Sequence, residues 1–293
     1  MKEKFRKLLT KTAALTGLEL AQRTSAASKT GQISLMQTWR TMLYNKGTLP
    51  KFGDIEFRVF SQNGEDGILL YIFSLIGTTN KVCVEICAGD GIQCNSANLI
   101  LNHGWTGLLV DGNENNIKKG KDFYSNHPDT NSFPPQLIHA WIERENVNEL
   151  LAKHGIMGEI DLLSIDLDGV DYWIWDAIDV IKPRVVVAEI QCIWGSDHSV
   201  TVPYTRDFKT SLVKGFGIYS GASLPAFVKL ANKKGYRLVG TQALGFNAFF
   251  IRSDVGTEVL PEQSAKSCLY RPFVHWAKHK FLTLVQDKDW VEV

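Results

Sequence analysis

The chain has 293 residues, 44% of them apolar, and a formal net charge of +1. That length holds one large α/β domain with extensions, or two small ones. The balanced charge excludes a global field that would point to nucleic acid or an acidic polymer. No run of about 18 apolar residues occurs, so no membrane-spanning helix is expected, and no apolar signal core follows the start. The five cysteines, Cys83, Cys87, Cys94, Cys192 and Cys268, are odd in number and lack a C-x-x-C pair. They read as buried free thiols in a reducing cytoplasm.

The first segment, MKEKFRKLLTKTAALTGLEL, is basic and carries Phe5, Leu8, Leu9, Leu15 and Leu18 near helical spacing. It reads as an amphipathic helix. That helix either packs on the main domain or a partner subunit, or makes a peripheral contact with an anionic membrane surface. TSAASKTGQ then reads as a linker, which places a helical extension at 1–50 ahead of a catalytic domain at 51–256.

From Ser61 the pattern alternates. GEDGILLYIFSLIG (64–77) predicts a helix with acids at its start, and KVCVEIC (81–87) a buried strand. A helix at 95–104 closes on Gly104, and a strand follows at 106–113. Further strand–helix pairs are predicted at 135–142 and its following helix, and at 160–169 and its following helix, before a fifth strand at 183–191. Apolar strands alternating with helices imply a parallel sheet covered on both faces, with ligands bound beyond the strands' carboxyl ends. Those ends carry Glu85, Asp111, Glu143, Asp166 with Asp168, and Glu189 with Gln191. After a helix at 223–235, YRLVGTQ and NAFFIRSD are separated only by ALGF and should pair antiparallel. The architecture read here is Rossmann-like: a three-layer α/β sandwich around a mostly parallel seven-stranded sheet with a terminal antiparallel pair. The tail 257–293 is predicted to be helical, with YRPFVHWAKHKFLTLVQDKDW as one amphipathic helix closing the core or a homo-oligomer interface.

The loop after the first strand, CAGDG (87–91), lacks the dinucleotide fingerprint G-x-G-x-x-G. A pyrophosphate would sit at the following helix start, where Asp90 would repel it. A cationic ligand without phosphate tolerates Asp90. Asp111, twenty positions after Gly91, suits the two hydroxyls of a ribose.

Residues 61–252 resemble a class I S-adenosylmethionine-dependent methyltransferase of the FkbM-like kind. The resemblance rests on SQNGEDGIL, VEICAGDGI, LLVDGN, LLSIDLDGVDYWIWDAI, VVVAEIQ and GASLPAFVKLANKKGYRLVGTQALGFNAFFIR. It implies S-adenosylmethionine as cofactor and methylation, mostly at oxygen, of sugars, glycolipids or natural-product scaffolds. It also implies that Glu85, Ala88, Gly89 and Gly91 line the methionine portion, that Asp111 holds the ribose beside Gly112 and Asn113, that Trp141 and Ile142 flank the adenine, and that Gln62 approaches the cofactor. One departure is Cys87, which stands where such loops carry their first glycine; its Cβ restricts φ.

An alcohol acceptor must lose a proton, through a general base or a metal. The candidates are Asp166, Asp168, Glu189 and His198, with Asp168, Glu189 and Gln191 as oxygen ligands for Mg2+. Asp166 has a blander reading as a cofactor hydrogen-bond acceptor, and Asp171 as a helix N-cap. Tyr172, Trp194, Tyr204 and Tyr219 are candidate substrate contacts, although Tyr172, Trp173 and Trp175 also fit core packing. Residues 192–222 read as a substrate-selecting insert, with GFGIYSGASL as a lid or a connection. His139 reads as a satisfied core histidine. The alternatives to a sugar O-methyltransferase are an N-methyltransferase and a non-catalytic scaffold of the same fold; a nicotinamide dehydrogenase ranks last for want of the glycine fingerprint.

Overall fold

A computed structural model describes residues 28–213 and 215–293. The chain divides into two compact units, residues 1–49 and 50–293. In the first unit, residues 28–44 form helix α1. The amphipathic helix read over the first twenty residues lies outside the described residues.

The second unit alternates as the sequence pattern requires: α2 (Phe52–Ile55), α3 (Glu65–Ile76), β1 (Val82–Ile86), α4 (Ala97–His103), β2 (Thr106–Asp111), α5 (Glu114–Asn126), β3 (Gln136–His139), α6 (Val147–Lys153), β4 (Gly158–Ile165), α7 (Asp171–Ala177) and β5 (Ile181–Glu189). An insert follows with β6 (Val200–Thr201) and the hairpin β7 (Ser211–Val213)–β8 (Phe216–Tyr219). The chain then runs through α8 (Leu224–Lys234), β9 (Tyr236–Thr241), β10 (Asn247–Arg252), α9 (Ala265–Leu269), α10 (Pro272–Phe281) and β11 (Val291–Glu292).

Seven strands form one sheet in the order β3-β2-β1-β4-β5-β10-β9. β1 to β5 are parallel, and β10 lies antiparallel between β5 and β9. This is the mostly parallel Rossmann-like sandwich expected, with the antiparallel strands at one side. The central strands are buried on both faces, which is why they read as unbroken apolar runs. Val84, Leu108, Leu163, Val186 and Phe250 are all fully buried, each side chain contributing about 1.5–3 kcal/mol of transfer free energy. Trp175 (1% exposed) packs its ring 5.1 Å from Phe250 and 5.8 Å from Tyr236, so it is core and not a substrate platform.

Opposite the carboxyl edge, Asp161 ties the sheet to the α3–β1 turn. Its carboxylate accepts from the backbone N–H groups of Thr79, Asn80 and Lys81 and from Arg184 Nη1 at 2.9 Å. Burial opposes its charge, but Arg184 and these amides hold its carboxyl below the usual range.

Two expectations are corrected. The tail is not one helix: α10 ends at Phe281, a 3-10 turn spans Leu282–Leu284, and β11 pairs antiparallel with β6. Trp290 explains the break, because its ring packs 5.1 Å from Trp194 and 5.1 Å from Tyr219, drawing the chain across the insert. His139 is exposed, because β3 is an edge strand; its Nε2 lies 3.1 Å from Gly112 O. No described helix is long and apolar enough to cross a membrane.

Candidate functional site

The carboxyl ends of β1, β2, β4 and β5 meet at one edge, where two cavities open side by side. The larger, about 530 Å³, is lined from the α3 approach by Gln62, Asn63 and Glu65 and from the glycine loop by Glu85 and residues 87–90. Asp166, Asp168, Glu189 and Gln191 line it from β4 and β5, and Phe216, Gly217 and Ser220 from the insert. The smaller, about 90 Å³, is a slot formed by Ile86, Val110, Gly112, Ala140, Trp141, Ile142, Leu167, Val170 and Phe208, with Asp111 at its mouth. Cys87 lines both.

Local chemistry fixes these walls. Asp66 and Glu65, which by pattern compensate the α3 dipole, do more than that. Asp66 Oδ2 accepts from the N–H groups of Val59, Phe60 and Ser61 at 2.7–2.8 Å, and Glu65 Oε2 from Asn63 N at 2.9 Å. They hold the chain that carries Gln62 against the cavity. Glu85 accepts from Asn95 N at 2.8 Å and Ser96 N at 2.7 Å, so its charge is spent on the start of α4. Asp111 Oδ2 accepts from Gly89 N at 2.9 Å, and its Oδ1 from Asn113 N at 2.8 Å and the Asn116 amide at 3.1 Å. A carboxylate offers about four lone-pair sites, and the described residues fill three of those on Asp111. A Cβ on Gly112 would sit 2.9 Å from the Trp141 ring; glycine lets that indole close the slot.

Asp90 is compensated. It pairs with Lys119 of α5 and accepts from Ile92 N at 3.0 Å. Partial burial would raise its pKa, yet Lys119 and the backbone amides hold it below the usual range. The case against a phosphate ligand therefore passes from Asp90 to the uncompensated acids across the cavity.

Those acids are Asp166, Asp168 and Glu189. Ile165 and Ala188 are register partners on β4 and β5, so Asp166 and Glu189 stand side by side. One oxygen from each of the three acids lies within 4.8 Å of the others. No ion pair joins them to a Lys, Arg or His among the described residues, and no described residue lining the larger cavity is basic. Burial, then repulsion from the neighbouring acids, raises Asp166 to about 8 and Glu189 well above the usual carboxylate range; burial alone raises Asp168. Asp171 is fully buried and accepts from Leu167 N at 2.6 Å and Gly169 N at 3.0 Å; burial first, and Asp168 nearby, push it up to about 6. It shapes the turn that presents Asp168 and is the first residue of α7; the N-cap is Val170, so the N-cap role read from sequence is corrected.

Other expected positions separate by geometry. Ala88 and Gly89 line the larger cavity, whereas Gly91 is a packing position, its carbonyl accepting from the Tyr124 hydroxyl. Asn113 caps α5, accepting from Asn115 N at 3.0 Å, and lines neither cavity. Gln191 is bound to the chain at both ends of its amide. Its amide N–H donates to Gly217 O at 2.8 Å and its oxygen accepts from Ile193 N at 3.4 Å; Asp166 completes the acidic trio instead. His198 lies outside both cavities, its ring 5.2 Å from Trp194. Tyr172, Trp194, Tyr204 and Tyr219 also line neither cavity. Tyr172 packs on Phe227, Trp194 on Trp290, Tyr204 bonds Glu145 at 2.7 Å, and Tyr219 bonds Asp289 O at 2.7 Å. These rings build the insert and its C-terminal clasp. GFGIYSGASL forms the β8 wall of the cavity, returned to β5 through Gln191 N to Ala222 O at 2.8 Å.

Sequence reasoning missed the strap 204–208, which covers the slot with Thr205, Arg206 and Phe208, and whose Arg206 O accepts from Trp141 Nε1 at 3.1 Å. It also missed Asn247, the first residue of β10, paired with Glu189 in register. Knowing the β5–β10 register would have revealed it.

Cys87 takes φ +64°, the left-handed conformation natural to the glycine it replaces. Its thiol is exposed at the cavity wall, yet the surrounding protein and the nearby Asp111, Asp166, Asp171 and Asp168 push it up to about 12.

No family model and no curated protein matches the sequence. Among solved structures, the fold is similar to the magnesium protoporphyrin IX methyltransferase of Synechocystis PCC 6803 with bound SAM, at 11% identity, 64% of this chain, 78% of that chain and a TM-score of 0.40. It is similar to the mitomycin 7-O-methyltransferase MmcR, at 15% identity, 61% and 50% coverage and 0.37, so the match spans half of that longer protein. It is also similar to the glycopeptide N-methyltransferase MtfA complexed with SAM, at 8% identity, 64% and 92% coverage and 0.40. Identities and scores this low leave function to be argued from the site itself.

A non-glycine residue in the left-handed region costs roughly 1–2 kcal/mol, offset in part by the greater unfolded-state freedom of glycine. Cys87→Gly is therefore expected to stabilise the protein by up to about 1 kcal/mol in urea denaturation, whereas Cys87→Ala, which keeps the Cβ, is not. A carboxyl whose folded pKa is raised contributes stability below its unfolded pKa, near 4, and loses it as pH rises through its folded value. Thermal denaturation in EDTA is expected to show stability falling between about pH 4 and about pH 8, and Asp166→Asn to flatten that fall.

Proposed function

We propose that the chain is an S-adenosylmethionine-dependent methyltransferase of the FkbM-like kind, acting on a hydroxyl of a sugar or a related polyol. The observation that carries this reading is the pair of cavities that share Cys87 in their walls: a mostly apolar slot with the Asp111 carboxylate in its lining, and a chamber lined by Asp166, Asp168 and Glu189. An adenine fits the slot against Trp141 and Ile142. The ribose meets the open lone pair of Asp111, with the Asn116 amide yielding to a second hydroxyl. The ammonium and sulfonium of the methionine portion face a wall rich in carboxylates, whereas a dinucleotide would set its phosphates against the same uncompensated acids.

When bound, S-adenosylmethionine supplies a methyl group on an activated sulfonium. The residues of this chain then have three tasks. Gln62, Gly89 and the β8 wall position the ligand and acceptor, which is most of what such a displacement requires. The Phe208 strap covers the slot and excludes water. The Asp166–Glu189 pair, with Asp168, takes the acceptor proton; burial raises all three, which makes whichever carboxylate is ionised a stronger base. With the cofactor bound, its sulfonium would supply the methyl group to the acceptor oxygen and would leave as the neutral thioether, while a carboxylate of the Asp166–Glu189 pair would take up the acceptor proton.

The want of described basic residues in the chamber favours a second reading, N-methylation of a cationic amine, which the same acids would attract. It disfavours carboxylate or phosphate acceptors. A scaffold without turnover would bind cofactor or not, but would transfer no methyl group.

Hydrogen bonds to a charged group contribute about 1.5–3 kcal/mol, and 1.4 kcal/mol is tenfold in affinity. Isothermal titration is expected to show micromolar binding of S-adenosylmethionine and S-adenosylhomocysteine, weakened at least about tenfold by Asp111→Asn. No heat at millimolar cofactor, or equal affinity in the variant, would contradict the reading.

A further inference from the structure

Two aromatic rings interrupt the polar wall of the chamber. Phe216, at the start of β8, and Phe246, just before β10, are half-buried and line it. Ile190, the other large apolar residue of the lining, is buried. The remaining described lining residues are small or polar. The two rings lie 5.8 Å apart at 50° to one another and form an angled apolar shelf. Apolar surface left at the wall of a polar cavity gains from a ligand that covers it.

The shelf is held from behind. Phe281 of α10 stacks on Phe216, with ring centroids 5.0 Å apart and planes 13° from parallel, so one face of Phe216 is covered. Phe273, also on α10, packs edge-on against Phe246 at 5.4 Å and lies 6.0 Å from Phe216. The backbones are anchored to the end of β5. Ile190 N donates to Phe246 O at 2.7 Å, and the Gln191 amide N–H to Gly217 O at 2.8 Å. Ile190 and Gln191 directly follow Glu189, so the shelf stands in fixed relation to the acids. Asn247, next to Phe246, donates its amide N–H to Glu65 Oε1 at 2.9 Å, while its own oxygen has no partner among the described residues.

A pyranose has the matching division: an apolar face of C–H bonds and a polar rim of hydroxyls. C–H hydrogens are weakly positive and rest well on the negative face of an aromatic ring. The hydroxyls of the rim are donors, which carboxylates require. A linear polyol has no such face, and a catechol has the face without the full rim. We propose that Phe216 and Phe246 form the shelf on which the C–H face of a pyranose acceptor seats, with its hydroxyl rim turned to Asp166, Asp168 and Glu189. Gln191 and Phe281 are positioning residues that hold the shelf. The aromatic role expected of Tyr172, Trp194, Tyr204 and Tyr219 thereby passes to these two rings. The shelf's role as an acceptor site rests on the methyltransferase reading; sugar binding itself does not require the cofactor.

The test is saturation-transfer NMR on the full chain with a panel of methyl pyranosides (glucoside, galactoside, mannoside, rhamnoside and xyloside) and catechol, with and without S-adenosylhomocysteine. At least one pyranoside is expected to bind at millimolar concentration, with saturation strongest at the C–H protons of one ring face. Phe216→Leu and Phe246→Leu keep the apolar bulk and remove the ring, and each should weaken that binding about two- to tenfold. Phe133→Leu, exposed and outside both cavities, should leave it unchanged. Circular dichroism identifies a variant that fails to fold, and the other then carries the comparison. No pyranoside bound at millimolar concentration, catechol bound more tightly than every pyranoside, unchanged affinity in a folded shelf variant, or equal loss in Phe133→Leu would overturn the proposal. Pyranoside binding without S-adenosylhomocysteine binding would retire the methyltransferase reading and keep the shelf; the reverse result would retire the shelf alone.

Discussion

The constraint on which the site depends is the convergence of carboxylates at one edge of a parallel sheet. Five parallel strands point their carboxyl ends the same way, and nearly every one ends in an acid. Crowding like charges is unfavourable, so each carboxylate must be neutralised, hydrogen-bonded or left to repel. Glu85 and Asp171 are consumed by backbone amides and Asp90 by Lys119. Asp111 is three-quarters consumed. Asp166, Asp168 and Glu189 have no such settlement; Asp166 and Glu189 are half-buried side by side, and Asp168 stands exposed beside them.

This division separates structure from chemistry. The consumed acids act on the chain itself: they shape the turns that present Gly89, Gln62 and Asp168. The unsettled acids face the chamber, where a cation, a proton or a cationic ligand would settle them. Stability is given up at such a place, because repulsion and an unpartnered Asn247 oxygen persist only if the surrounding sheet over-determines them. That surrounding sheet is the rigid part of the molecule, with Asp161 and Arg184 tying its opposite edge and the Trp175 cluster filling one face.

Much of the fold was legible because parallel strands buried on both faces must be apolar throughout, and helices between them must carry their own stop signals. The antiparallel β9–β10 pair followed from a connection too short for a crossover. The position of Glu85, Asp111, Asp166 and Glu189 at the cavity edge was legible for the same reason, since they are strand ends and strand ends are placed by topology. What was not legible depends on register and long-range packing. His198 and the insert aromatics were read as site residues by proximity in sequence to β5, but Trp194 and Tyr219 pack on Trp290 from the far end of the chain, His198 packs on Trp194, and Tyr204 bonds Glu145. Asn247 was passed over because its value comes only from facing Glu189 across two strands remote in sequence. The tail misread as one helix fails similarly: β11 exists because β6 offers it an edge.

Cys87 joins these themes. It holds a glycine's conformation in the wall shared by slot and chamber, so its strain sits where a ligand occupying both would cross. The most direct test of the account is a crystal structure grown with S-adenosylhomocysteine. The account predicts adenine in the slot beside Trp141 and Ile142, the ribose on Asp111, and the amino-acid end crossing Cys87 toward Gln62 and Gly89. A nucleoside bound elsewhere, or an empty cleft at millimolar ligand, would contradict it.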